Sequence, residues 1–186
     1  MSRASLDKRF EARRGGNAAS LAAFGAQANR SGLYRTVFEG DGPTVYTIGY
    51  ERRDGEALIA GLIDAGVTTL LDVRERPMSR NPDFRRARLE RLCNEAGVQY
   101  ESWPELGSTD HQRESLKESG DFSVFRKRFR DLMVRSRWDV MERLADRVSQ
   151  GTVAMICYER EHDECHRSIL AELLHDDVDA TIVAIA

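Results

Sequence analysis

Cys157, Glu159, Cys165, His166 and Arg167 bring two thiols, a carboxylate, an imidazole and a guanidinium together in a short stretch of chain. A thiolate is both a nucleophile and a metal ligand. It is favoured where a helix N-terminus, an imidazolium or a guanidinium lowers the thiol pKa from its reference of about 8.5. Cys165 has both His166 and Arg167 beside it, which makes it the candidate reactive thiol, with His166 or Glu159 as acid or base. The spacing does not match a Cys-dependent phosphatase loop. C-x5-R counted from Cys157 puts Asp163 at the arginine position, and counted from Cys165 it puts Ala171 there. A thioredoxin-type C-x-x-C is absent as well. Cys157, His162, Cys165 and His166 offer four ligands for zinc, but not in the paired C-x2-4-C or H-x3-5-H spacing of structural sites, so no metal is expected.

These residues need elements to position them. The apolar, β-branched run 153–157 after Gly151 reads as a buried strand. Ile169, Leu170, Leu173 and Leu174, three and four apart, give the segment from Cys165 onward the apolar face of a helix. Cys157 and Glu159 thus fall at the carboxyl end of a strand and Cys165-His166-Arg167 in the first turn of a helix, where free N–H groups favour anions. Cys157 reads equally as a small core residue. Gly49-Tyr50-Glu51 and Asp72-Val73-Arg74 are two further polar strand ends. Arg74, Arg80 and Arg167 could together hold phosphate or carboxylate. Asp72 and Arg74, alternate on their strand, read equally as a local ion pair.

Strands are expected at 45–48, 67–73, 98–103, 153–157 and 178–185, alternating with helices. The helices lie near 54–65, where Asp54 can cap and Gly66 can close, near 84–96, and over 121–150 with a break near Arg137. Residues 104–120 show no period and read as a long loop. Alternation of this kind predicts a three-layer α/β/α domain over 44–186 with a five-stranded, mostly parallel sheet. Numbering those strands in chain order, 3-2-1-4-5 is the favoured sheet order, because it makes the strands with polar ends neighbours at a switch point. Residues 1–43 are rich in Arg, Ala, Gly and Ser and read as a basic extension, loosely packed or reaching a partner as an arm.

The 41% hydrophobic and 32% charged composition is that of a water-soluble globular protein, and the net charge of −3 gives the whole chain no pull towards nucleic acid or anionic membrane. Three cysteines are too few for a secreted disulfide scaffold and suit a reducing cytoplasm. No stretch is apolar for the length of a membrane span, so no membrane partner is expected. The basic run Arg126-Lys127-Arg128 with Arg130 reads as a solvated helix face before it reads as a phosphate track. His111 reads equally as solvent-exposed or as a general base.

Four segments resemble, in order, the domain of unknown function 488 family: YTIGYE at 46–51, LLDVRERPMSRNPDF at 70–84, AGVQYESWPELG at 96–107, and MICYEREHDECHRSILAELL at 155–174 with its C-x-E…CHR pattern. The resemblance implies a compact α/β fold with a pocket and carries no activity, substrate or cofactor with it. Many members have His-Ser where this chain has Tyr50-Glu51, so no role for that His transfers. Ser108 stands where a second Gly is usual.

The expectation is an anionic small-molecule or nucleotide ligand held by Tyr50, Asp72, Arg74, Arg80, Cys157 and Arg167, with thiol-dependent catalysis through Cys165, His166 and Glu159. The alternative is a nucleic-acid-associated protein using the same arginines and the N-terminal arm. Strong salt dependence of binding would single out the second.

Overall fold

The computed structural model describes residues 33–186. The basic arm expected over 1–43 therefore falls, up to residue 32, outside the described residues. The strands are β1 (Tyr34–Phe38), β2 (Thr44–Gly49), β3 (Thr69–Asp72), β4 (Gln99–Ser102), β5 (Val153–Cys157) and β6 (Thr181–Ile185). The helices are α1 (Gly55–Asp64), α2 (Arg86–Glu95), α3 (Asp110–Ser119), α4 (Phe122–Ser136), α5 (Trp138–Val148) and α6 (His166–Val178). Single turns at Pro82–Phe84, Pro104–Leu106 and His162–Glu164 punctuate the connections.

Local chemistry sets the ends of these elements. Asp54 caps α1 by accepting from Ala57 N at 2.7 Å, and Gly66, at φ 66°, takes the left-handed conformation that lets the chain leave it. Asp121 caps α4 through Ser123 N and Val124 N. Alternation along the strands then divides the core. Tyr46, Ile48, Leu70, Ala154 and Ile156 meet Leu58, Leu62, Leu89 and Cys93 of α1 and α2 on one face. Val45, Leu71, Val153 and Met155 meet α4, α5 and α6 through Phe129, Met133, Leu144 and Leu170 on the other. Burying each of the larger aliphatic side chains contributes about 1.5–3 kcal/mol, so both helix layers are held by the sheet rather than by their own propensity.

The α/β class is as expected, but the sheet differs in strand number and order. It has six strands in the order β1-β6-β2-β5-β3-β4. β1 is the added strand and runs antiparallel to β6, with Tyr34 opposite Ile185. The other pairings are all parallel. In terms of the expected strands, the first and fourth have exchanged places: β5 pairs with β2 on one side and β3 on the other. The reason lies in composition. VAMIC is buried at every position and suits a central strand flanked on both sides, whereas QYES of β4 is nowhere fully buried and suits an edge. Residues 104–120 are not one loop either. They hold α3, which has a Thr109–Gln112 capping box but no buried residue, and therefore shows no hydrophobic period. The break expected near Arg137 is present between α4 and α5.

Candidate functional site

The strand exchange places Cys157 at the end of the central strand. Gly49 is its register partner on β2, and Asp72 is paired with Ile156 on β3. From β2 the chain runs to β3 on one side, and from β5 it runs to β6 on the other, with α1 and α6 on opposite faces. The carboxyl ends of β2 and β5 therefore flank the switch point of the sheet, where open α/β proteins bind ligands. The loop after β5 is pinned against β2: Tyr50 N donates to Cys157 O at 3.2 Å and Glu51 N to Tyr158 O at 2.9 Å. A Cβ on Gly49 would lie 2.0 Å from Glu159 O, so only glycine lets that loop pass so close. The chain then turns at His162–Glu164, and Cys165 N donates to His162 O at 3.3 Å as α6 begins.

Five functional groups converge here. Cys157 Sγ lies 3.3 Å from Glu159 Oε2 and 3.5 Å from His166 Nδ1. Cys165 Sγ lies 3.8 Å from the same Nδ1 and accepts from Arg167 Nε at 3.2 Å. His166 Nε2 sits 3.0 Å from Val73 O; facing a carbonyl, it must carry a proton, which leaves Nδ1 as the nitrogen facing both sulfurs. Arg167 is 1% exposed, and its Nη2 donates to Glu159 O at 2.5 Å. The sulfurs, the Glu159 carboxylate and the imidazole nitrogen all lie within 4.8 Å of one another. Two thiols, an imidazole and a carboxylate form a donor set that suits a zinc-class ion. Glu159 fills the position that the sequence had offered to His162. That imidazole instead faces β2, with Nδ1 2.9 Å from Thr47 Oγ1, and its buried Nε2 has no hydrogen-bond partner among the described residues.

Burial and charge divide the protons unequally. Burial pushes the Cys165 thiol up, but hydrogen bonding from Cys157 and the charges of Arg167 and His166 outweigh it and hold the thiol well below its ordinary range. Cys157 is raised by its hydrogen bond to Cys165 and by burial, so it keeps its proton. Burial, reinforced by the Cys165 charge, pushes Glu159 up to about 7. Burial opposes the His166 imidazolium, yet the neighbouring Cys165 thiolate raises it on balance. The arrangement can hold one thiolate and exchange a proton near neutrality.

Asp72 and Arg74 form a second network beside the first. Asp72 Oδ1 accepts from Arg74 Nε at 2.7 Å, and Oδ2 accepts from Arg74 Nη2 at 2.5 Å and from Tyr100 Oη at 2.6 Å. Arg74 Nη1 donates to Phe84 O at 2.9 Å, and its guanidinium lies 5.1 Å from the ring centre of Tyr50, which stacks on Phe84. Burial works against the Arg74 charge, but Asp72 raises its pKa above the usual arginine value. Both residues are buried and face each other. Val73, between them, links the two networks through the carbonyl that receives His166. Tyr100, which closes the Asp72 shell, was missed as a site residue, although the expected sheet order already set its strand, β4, beside β3, where it pairs with Leu70. Arg80 is exposed and takes part in neither network, and His111 is exposed on α3. The basic face of α4 is tied to its neighbours: Arg126 to Glu172, Arg130 to Glu172 and Asp176, and Arg128 to Ser115.

Fold and site together define an open α/β protein with a thiol–imidazole–carboxylate centre at the switch point of its sheet. The chain belongs to the family described as Domain of unknown function DUF488, whose model matches residues 55–174. No curated protein and no solved structure matches it. Among the described residues no helix is long and apolar enough to cross a membrane.

Proposed function

We propose that the chain binds a small anionic molecule, phosphate-bearing or nucleotide-like, at the carboxyl edge of β5 and processes it with the thiol centre. Cys165 is the reacting thiolate, and Glu159 and His166 are its proton carriers. The observation that carries this reading is the convergence of Cys157, Glu159, Cys165 and His166 within 4.8 Å at the switch point. A purely structural polar network has no need of two thiols and a half-buried carboxylate around one imidazole. The arginine contribution is narrower than the sequence suggested. Arg74 is committed to Asp72 and Phe84, which leaves the Arg167 guanidinium and the first turn of α6 as the positive side of the centre. The nucleic-acid reading has less support, because Arg126 and Arg130 of α4 are paired with Glu172 and Asp176 of α6.

Melting temperatures measured with inorganic phosphate and with nucleoside mono-, di- and triphosphates test this reading. A ligand present at about 100 times its Kd adds about 2.7 kcal/mol to the folded state. At least one of these anions should raise the Tm of the parent by several degrees, and Arg167→Ala should lose most of that rise. A panel that leaves the parent unmoved, or a rise that Arg167→Ala retains in full, rejects the reading.

A further inference from the structure

We propose that Cys157, Cys165 and His166, with Glu159 as a fourth and exchangeable donor, bind one zinc-class divalent cation. The inference rests on the cluster being the functional centre of the chain, but not on an anion binding there nor on Cys165 reacting as a free thiolate, a role that a bound ion would take from it. Zn–S bonds of about 2.3 Å and Zn–N bonds of about 2.0–2.1 Å in a tetrahedron put sulfur and nitrogen about 3.6 Å apart. The two sulfur-to-Nδ1 separations, 3.5 and 3.8 Å, bracket that edge. Cys157 Sγ and Glu159 Oε2 are 3.3 Å apart, and no pair in the cluster exceeds 4.8 Å. Closing the set around one ion takes shifts of the ligand atoms on the order of 1 Å.

Three further features point the same way. The first is the Val73 carbonyl, which takes the Nε2 proton of His166 and turns the Nδ1 lone pair towards both sulfurs; metal-ligating imidazoles are oriented by such a second hydrogen bond. Charge is the second. Two thiolates and a carboxylate exceed a divalent ion by one negative charge, and Arg167, buried with Nε on Cys165 Sγ, supplies the balance. The third is access. Cys157, Cys165 and His166 are buried whereas Glu159 is only partly so, which makes it the donor a water or an incoming anion can displace. Two cysteines and a histidine with an exchangeable fourth position form the layout of a catalytic rather than a structural zinc site. The ion would also give an anion the electrophilic partner that the committed Arg74 cannot.

The test uses the full chain, stripped with a chelator under reducing conditions and titrated anaerobically with cobalt(II). One equivalent should bring up the visible bands of a tetrahedral site together with a thiolate-to-cobalt charge-transfer band, and zinc(II) should abolish both. Cys157→Ser and Cys165→Ser should each remove the charge-transfer contribution of one sulfur and weaken zinc by about 100-fold or more, whereas Glu159→Gln should keep tetrahedral bands and weaken it by about 10–100-fold. Should either cysteine variant fail to fold, zinc protection of the parent thiols gives the same answer: Cys157 and Cys165 should be shielded from alkylation while Cys93 is unaffected. No tetrahedral bands, or no zinc protection, overturns the proposal. An anion-dependent Tm rise that persists in the stripped protein without cobalt bands sinks the metal and spares the anion site. Cobalt bands in a protein that no anion stabilises uphold the metal and sink the anion site.

Discussion

Asp72 and Arg74 show how one pair of residues can be read two ways from sequence. Their alternate spacing on a strand fits two residues lining a ligand site or an internal ion pair, and only the positions of Phe84 and Tyr100 decide that every strong contact is internal. Removing one partner of such a pair strands a buried charge, so Asp72→Ala should cost about 3–5 kcal/mol in urea unfolding. The double replacement Asp72→Leu with Arg74→Met should cost clearly less than the sum of the single changes. Additivity would mean that the two do not act as a pair. His162 gives a pH signature of its own. Burial lowers its pKa from 6.5 to about 4, so below about pH 6.5 the unfolded chain takes up a proton that the folded chain refuses. Its contribution is complete above that pH and is lost as pH falls towards 4, on the order of 3 kcal/mol in all. Urea midpoints of the parent should therefore fall more steeply between pH 7 and 5 than those of His162→Gln, and parallel slopes would refute the assignment. Groups titrating elsewhere, Glu159 among them, cancel in that comparison. The convergence of the cysteines with His166 was legible from residue types and their strand–helix junction. The part played by Glu159 as the fourth donor was not, because it depends on the loop folding back over Gly49.

Among the elements, those with a buried stripe were readable and those without one were not. α1, α4 and α5 announce themselves through Leu58 and Leu62, Phe125 and Phe129, and Leu144 and Val148. α3 has no fully buried residue and is held by its capping box, by Leu116 partly buried against the core, and by the ion pairs Arg76–Asp110 and Arg113–Glu75. Its propensity alone is too weak to mark it in the sequence. Thr109→Ala should therefore cost about 1 kcal/mol of local stability, visible as faster amide exchange over Asp110–Ser119 with little change in global melting. Equal exchange in parent and variant would mean that tertiary contacts fix α3 without the cap. β1 was missed for a different reason. Its pattern is broken by the irregularity between Thr36 and Phe38, with Arg35 and Thr36 exposed, and it follows a stretch so rich in small and basic residues that the segment was absorbed into the extension. At the carboxyl end of the interior strand β2, Gly49→Ala should break the passage of the loop at Glu159, lowering stability and disrupting the thiol centre in one step. An alanine variant with the parent's melting temperature and cysteine reactivity would show that the loop can move aside.

For the molecule as a whole, alternation of strands and helices was enough to give the α/β class and the two helix layers. It was not enough to order the sheet, since the orders with β2 or with β5 next to β3 both bring the polar strand ends together. Burial of VAMIC on both faces was the signal that could have chosen between them. The chosen order also imposes a schedule on synthesis. Both neighbours of β2 are made after it, as β5 and β6, and among the described residues the only partner of β1 is β6. Of the strand pairs among the described residues, β3 with β4 alone can close before residue 153 has left the ribosome. Parallel pairing across such separations is slow to form. A nascent chain stalled near residue 150 should thus be cleaved freely by protease across residues 44–49, and one released at full length should resist. β1 and β2 wait, unpaired, for the two strands that are made last.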